Sequence, residues 1–353
     1  MNERERDFGG IVRRTPREVV RPASAGEVAA LLRHDPSALP RGCGHSTDGR
    51  SLTSGIMLDM RGLATVHEVR DDRVSVDAGA TWREVLEATL PYGLTPPVLT
   101  DYLDLTVGGT LAAGGVGGTS HVHGLQTRSA LDIDVAASTG EVLRRSPAQE
   151  PYGAVRGGLG GHGVITRATL RLVPAPRHVL SCKVACRSAA ELLRLQARTD
   201  VDHLSGQARP SENGWRYELK AVLYEGEAPP PGLPVPAGIE RLPYLDFADR
   251  MRPDVAELIA LGEWERPHPW AMAFLPGGPG AAAFIERTLA AMGPSDLGLS
   301  GVVLIKALTD RVLFGLLRTA SPGCAPAEAM TAANRTFHAQ ARALGGTPYP
   351  DAP

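Results

Sequence analysis

The sequence predicts an α+β protein in two parts, residues 1–176 and 177–353. Three observations carry that reading. Short apolar runs of period two alternate with Ser- and Thr-capped amphipathic segments through the first half, glycine clusters punctuate them, and Pro174-Ala175-Pro176 breaks the pattern near the middle. A chain of 353 residues can bury two cores, or one large core with a lobe.

Taken in order, Ser24 opens a Ser-x-x-Glu capping box with Glu27, and Val28, Leu31 and Leu32 form one apolar face, which predicts a helix over about 25–32. A short strand then delivers Pro40 and Arg41 into the loop Gly42-Cys43-Gly44-His45-Ser46. Residues 56–60 and 65–69 read as strands. Arg73-Val74-Ser75-Val76-Asp77-Ala78 alternates like a half-buried strand, and Thr81 with Glu84 caps a helix that turns Trp82, Val85, Leu86 and Leu90 inward. Residues 99–120 hold so many small side chains that their backbone should lie against something flat or charged, with amides available as donors. From Ala130 a strand, a Thr139-Gly140 turn and a returning strand form a hairpin. Gly158 to Gly163 fit the letters of a dinucleotide fingerprint, but a strand over 164–173 follows them, where that fingerprint requires a helix; a Rossmann NAD site is rejected. In the second part, Ser188 and Glu191 cap a helix, Pro229 to Pro236 form a loop, residues 302–305 read as a buried strand, and Met330, Ala333, Phe337, Ala341 and Leu344 mark one face of a long helix ended by Gly345-Gly346.

Composition narrows the function class. A net charge of -2 without a run of Lys or Arg argues against a nucleic-acid partner. No segment has the apolar length of a membrane span, and the charged start MNERERDFGG does not read as a signal peptide, so a cytoplasmic enzyme without a membrane partner is the expectation. Cys43, Cys182, Cys186 and Cys324 fit neither a secreted disulfide framework nor the usual spacing of a metal site, and no metal is expected.

The chemistry concentrates around His45. Taken alone, glycines beside a histidine fit a tight turn with a solvent-facing imidazole as well as they fit a site. The weight comes from company: the Gly-His-Ser loop, the run Thr100-Asp101-Tyr102-Leu103-Asp104-Leu105-Thr106-Val107-Gly108-Gly109-Thr110-Leu111, the stretch from Gly157 to Arg167, and His268-Pro269-Trp270 occur in order along the chain. Together these motifs closely resemble the cytokinin dehydrogenase branch of the vanillyl-alcohol-oxidase flavoproteins, over nearly the whole chain and most strongly from Pro40 to Pro176.

The resemblance implies a PCMH-type FAD-binding domain of two α/β subdomains with a smaller α+β substrate domain as cap. It implies FAD bonded through its 8α-methyl carbon to His45. Amides around Gly42, Cys43, Gly44 and Ser46 would meet the pyrophosphate, with Pro40, Thr106, Gly109, Val116, Ile165 and Tyr349 as further cofactor contacts. Asp101 matches the family's catalytic aspartate, a carboxylate able to take an N–H or O–H proton while the adjacent carbon loses hydride. Dioxygen or another acceptor would reoxidise the flavin. No cysteine occupies 114–118, so a single covalent link is expected. His121 and His123 are read as structural or as pocket rim, Asp104 as a surface residue, and Trp264, His268 and Trp270 as anchors of the second lobe.

This chain departs from the family's pattern in three ways. Ala112-Ala113 stand where plant members have Ser-Asn, the cap is shortened, and the family's closing C-terminal segment is expected to be missing after Tyr349. The expected substrate is a small molecule with an amine or alcohol carbon, in a tailoring step of secondary metabolism. The rival reading is a flavoprotein-derived scaffold that performs a non-redox cyclisation or binds a small molecule, with FAD structural or lost.

Overall fold

The structure, a computed structural model, describes residues 3–147, 149, 155, 162–212 and 214–350. Two compact units emerge: 1–117 with 125–175, and 118–124 with 176–350.

In the first unit, β1 (Glu18–Val20), β2 (Leu39–Arg41) and β3 (Ile56–Asp59) form a parallel sheet in the order β1-β3-β2. Parallel strands need a crossover, and α1 (Ala25–His34) supplies the one between β1 and β2, which flank β3. Ser24 caps the N-terminus of α1 as the sequence predicts, Glu27 N–H donating to Ser24 Oγ at 3.2 Å, while the Glu27 carboxylate accepts from Ala23 N–H at 2.9 Å instead of from the Ser24 amide. Val28, Ala29 and Leu32 pack with Ile56, Leu58, Ala136 and Val164. Each such aliphatic side chain taken from water contributes about 1.5–3 kcal/mol.

The five-stranded antiparallel sheet of this unit joins β4 (Val66–Arg70), β5 (Arg73–Asp77), β7 (Ala130–Ala136), β8 (Val142–Arg145) and β9 (Val164–Arg171) in the order β4-β5-β9-β7-β8. A two-stranded pair, β6 (Leu94–Thr95) with β10 (Val173–Pro174), lies outside it. The capping box of Thr81 and Glu84 is formed at the start of α2 (Trp82–Thr89), and Trp82 is fully buried, its Nε1–H donating to Thr110 Oγ1 at 2.7 Å. The glycine-rich run contains a helix, α3 (Val107–Ala113), ended by Gly114 at φ 79°. Of the fingerprint-like stretch, 157–161 lie outside the described residues; Gly163 leads directly into β9, so a strand follows.

The second unit is one eight-stranded sheet backed by helices. Its strands are β11 (His178–Cys186), β12 (His203–Ser211), β13 (Gly214–Tyr224), β14 (Gly238–Pro243), β15 (Ala271–Pro276), β16 (Val302–Ala307), β17 (Arg311–Leu317) and β18 (Thr347–Pro348), in the order β14-β11-β13-β12-β16-β17-β15-β18. Its helices are α4 (Ser120–His123), α5 (Ala189–Gln196), α6 (Tyr244–Ala248), α7 (Met251–Ala260), α8 (Pro279–Ala290) and α9 (Ala327–Ala343). Leu192 and Leu195 of α5, Phe284 and Ile285 of α8, and Phe337 and Ala341 of α9 meet Leu204, Leu219, Val303, Phe314 and Leu316 from the strands in one core. Among the described residues no helix is long and apolar enough to cross a membrane.

Candidate functional site

Strand β2 ends at Arg41 and releases the chain into Gly42–Ser46. Gly42 has to be glycine for a packing reason: a Cβ there would lie 2.1 Å from Thr106 Oγ1. Gly44 is at φ 72°, in the left-handed region, and a Cβ on it would strike the Arg41 guanidinium at 2.2 Å. The loop is thus pressed onto the start of α3 on one side and onto Arg41 on the other.

The polar backbone of the loop is used asymmetrically. Its Gly44 and Ser46 carbonyls accept from Phe8 N–H at 3.0 Å and Gly9 N–H at 3.2 Å. Hydrogen bonds among the described residues engage none of the amide N–H groups of Gly42, Cys43, Gly44 and Ser46. Consecutive amides of this kind form a concavity suited to an anion. Arg41 stands behind the loop: it donates to Ser51 Oγ at 2.9 Å and to the carbonyls of Glu3 at 2.9 Å and Arg6 at 2.7 Å, and the Ser51 and Ser46 hydroxyls lie 2.7 Å apart. Burial lowers the Arg41 guanidinium from its ordinary value, with Asp7 nearby opposing the shift.

Helix α3 contributes less of its N-terminus than its glycines suggest. Val107 N–H is taken by Ala80 O at 2.8 Å and Gly108 N–H by Ala78 O at 2.7 Å, while Ala78 N–H donates to Thr166 O at 3.0 Å. Gly108 therefore serves close packing against Ala78, and Gly109 is the glycine whose amide these bonds leave over. Thr106 meets the loop at Gly42, and Ile165 precedes Thr166, whose carbonyl holds Ala78. Thr106, Val116 and Ile165 are all buried, and Pro40 is half-buried in β2.

The His45 imidazole packs against two aromatic rings. Phe8 lies 4.0 Å away between centroids at an interplanar angle of 30°, and Tyr102 lies 5.2 Å away at 39°. Tyr102 directly follows the half-buried Asp101, so the segment bearing the candidate base packs on the candidate attachment residue. Thr100 Oγ1 donates to Tyr102 O at 2.9 Å across that bend. Asp104, expected at the surface, keeps its side chain 40% exposed and pairs with the half-buried Arg83 through contacts of 2.6 and 3.2 Å.

Tyr349 belongs to the second unit, where it packs edge-on against Phe274 at 5.1 Å and donates its N–H to Met272 O at 2.9 Å; burial pushes its hydroxyl up. Every other candidate cofactor residue, and Asp101, lies in the first. His121 accounts for both ring nitrogens with backbone carbonyls, Gly118 O at 3.0 Å and Val201 O at 2.8 Å, a structural role. Trp264, His268 and Trp270 stack edge to face in sequence, at 6.3 and 6.2 Å, with His268 buried.

Sequence reasoning missed two contributors. Phe8 sits in a segment without periodicity, so nothing marked it. Gln126 is fully buried; its N–H donates to Gly115 O at 2.8 Å and its Nε2 to Val98 O at 3.2 Å, tying the Gly114–Gly118 turn to the chain entering Asp101. Its Oε1 is a buried acceptor with no donor among the described residues, and a Cβ on Gly115 would lie 1.9 Å from it. Free amides for a diphosphate, apolar walls at Val116 and Ile165, and an imidazole held in a stack fit FAD.

Comparison with known proteins agrees. A family described as an FAD binding domain matches residues 16–146. The oxidoreductase ORF5 of the fasciation locus of Rhodococcoides fascians is 36% identical over 384 residues, covering 97% of this chain and 86% of the relative. Cytokinin dehydrogenase 6 of Oryza sativa subsp. japonica is 33% identical over 76% of this chain and 64% of its own length. Cytokinin dehydrogenase 4 of Arabidopsis thaliana is 32% identical over 77% of this chain and 65% of its own. The chain spans just under two thirds of these cytokinin dehydrogenases.

Proposed function

The chain belongs to the cytokinin dehydrogenase-like family of FAD-dependent oxidoreductases, and from that premise we propose that it removes hydride from a carbon bearing an amine or alcohol of a small molecule. When bound, FAD supplies the two-electron acceptor that no side chain provides. The amides of Gly42, Cys43, Gly44 and Ser46 would hold its diphosphate, and Pro40, Thr106, Gly109, Val116 and Ile165 its remaining surface. His45 would carry the covalent link. In this reading the two sheets of the first unit would belong to the two α/β subdomains of a PCMH-type domain, and 177–353 would serve as the substrate domain.

Asp101 is the proposed base. It accepts the substrate N–H or O–H proton as hydride leaves the adjacent carbon, so that an imine or carbonyl remains. The single observation that carries this assignment is the packing of Tyr102 on His45, which brings the Asp101 bend to the attachment residue. Dioxygen or another acceptor then removes the electrons. The apolar Ala112-Ala113 pair favours a substrate other than the hormones after which the plant relatives are named, in a cytoplasmic tailoring reaction of secondary metabolism.

The test is spectroscopic. Purified protein should be yellow, with the colour staying in the acid-precipitated pellet, and candidate amines or alcohols should bleach it without oxygen. Asp101→Asn should slow that bleaching by about 10²- to 10⁴-fold at unchanged flavin content. Bleaching at the wild-type rate removes Asp101 from the mechanism, and a colourless protein removes the redox reading.

A further inference from the structure

The segment that covers His45 lies before residues 16–146, outside the part of the chain that matches the FAD binding domain. It is attached at several points. Phe8 and Gly9 donate to the carbonyls of Gly44 and Ser46. The buried Asp7 carboxylate accepts Gly49 N–H at 2.6 Å and Gly10 N–H at 3.2 Å, and Arg41 clamps the carbonyls of Glu3 and Arg6. Gly49, at φ 73°, lets the chain pass so closely that a Cβ would meet Val12 Cγ1 at 2.7 Å. These attachments bracket Phe8 on both sides and leave its ring on the imidazole, opposite no mobile tail but a fixed strap.

We propose that Phe8, held by this strap, is a positioning residue that fixes the His45 imidazole in the orientation from which one ring nitrogen meets the cofactor. The proposal rests on the reading of His45 as the attachment point. Its physical basis is the torsion about the bond joining Cβ to the ring, an sp³–sp² torsion with broad, roughly two-fold wells, so an unsupported imidazole spreads over orientations that place its nitrogens differently. An aromatic stack biases such a distribution by about two- to twelve-fold. Tyr102 supplies a second, looser contact from the Asp101 bend, so the two rings together set the plane.

The experiment uses the full chain, as wild type, Phe8→Ala, Phe8→Tyr and His45→Ala. Two quantities are read: the share of total flavin that stays with acid-precipitated protein, and the NMR shifts of the His45 ring protons, identified as those lost in His45→Ala. In Phe8→Ala the attached share should fall by about two- to twelve-fold with total flavin unchanged, and the upfield ring-current shift of His45 should disappear; Phe8→Tyr should restore both. Unchanged share and shift in Phe8→Ala overturn the proposal, as does an equal loss of total flavin that Phe8→Tyr fails to restore. If the wild type carries no flavin, the attachment reading fails and the ring-current shift alone decides whether Phe8 fixes His45. Should Phe8→Ala not fold, Asp7→Ala, which removes the acceptor of the Gly49 and Gly10 amides one residue away, takes its place with the same two outcomes.

Discussion

In the first unit, the loop at 42–46 commits its carbonyls to Phe8 and Gly9 and leaves amides unbonded by any described group. In the second unit, a polar cluster of similar size closes on itself. Glu263 accepts from Ser300 Oγ at 2.9 Å and Ser321 Oγ at 2.5 Å. Arg318, buried and pushed down to about 10 by that burial yet still charged at neutral pH, donates to Asp296 O at 3.0 Å and to Asn334 Oδ1. Asn334 in turn donates to Pro269 O at 2.9 Å and Trp270 O at 3.3 Å. A polar group satisfied inside the protein contributes to stability, whereas a row of donors held open contributes to binding something else. The open amides of the loop suit a ligand, and the Glu263, Arg318 and Asn334 contacts serve the fold.

The sharpest way to break that contrast is Asn334→Ala. It strips the buried Arg318 of an acceptor and takes one donor from the Pro269 and Trp270 carbonyls, which should cost about 2–4 kcal/mol in denaturant unfolding while the folded fraction keeps its flavin spectrum. A loss of flavin without a loss of stability would put the cluster in the cofactor site and dissolve the distinction. Gly42→Ala is the mirror test, with an expected cost of about 1–3 kcal/mol from the clash with Thr106 Oγ1 and, unlike Asn334→Ala, a fall in bound flavin read at 450 nm. Thr106→Ala in the same chain should recover part of the stability by removing the atoms struck.

The smallest expected effect is a pH slope. Burial raises the Asp7 carboxyl above its ordinary value, outweighing the Gly49 and Gly10 amides that oppose it. The folded state therefore keeps its proton to higher pH than the unfolded state. The stability attached to Asp7 is fully present below the ordinary carboxylate value of about 4 and is lost as pH rises through the higher folded value. Unfolding midpoints measured from pH 3 to 6 should show this slope in the wild type and lack it in Asp7→Asn.

Local chemistry made much of the first unit legible. The box at Thr81-Glu84 forms in full, whereas at Ser24-Glu27 the cap forms and the Glu27 carboxylate takes the Ala23 amide instead of that of Ser24; the strands around Val74, Met57 and Ile133 fall where the sequence places them. The second unit was harder. Gly206 and Ala208 face the core of β12, and Ala221 and Tyr217 that of β13, so inward positions carry too little aliphatic contrast to announce long strands. Helix α3 contains Gly108 and Gly109, whose propensity opposes a helix; bonds to Ala80 and Ala78 override it. In the candidate site, the motif marked Asp101 and His45, but the ring stack depends on Phe8, which contact across the fold brings in and no spacing rule reaches.

The path of the chain at Gly118–Gly124 bears on how such a protein can be inherited and rebuilt. Those residues leave the first unit, are locked to the second by Leu204 N–H on Gly118 O at 2.8 Å and by His121 on Val201 O, and return at Leu125. Neither unit is a continuous length of gene. A recombination event or a chimera that exchanged everything after Ala175 would replace the partner of this short segment while keeping the segment itself. The second unit can be exchanged between relatives as a module only when 118–124 travels with 176–350.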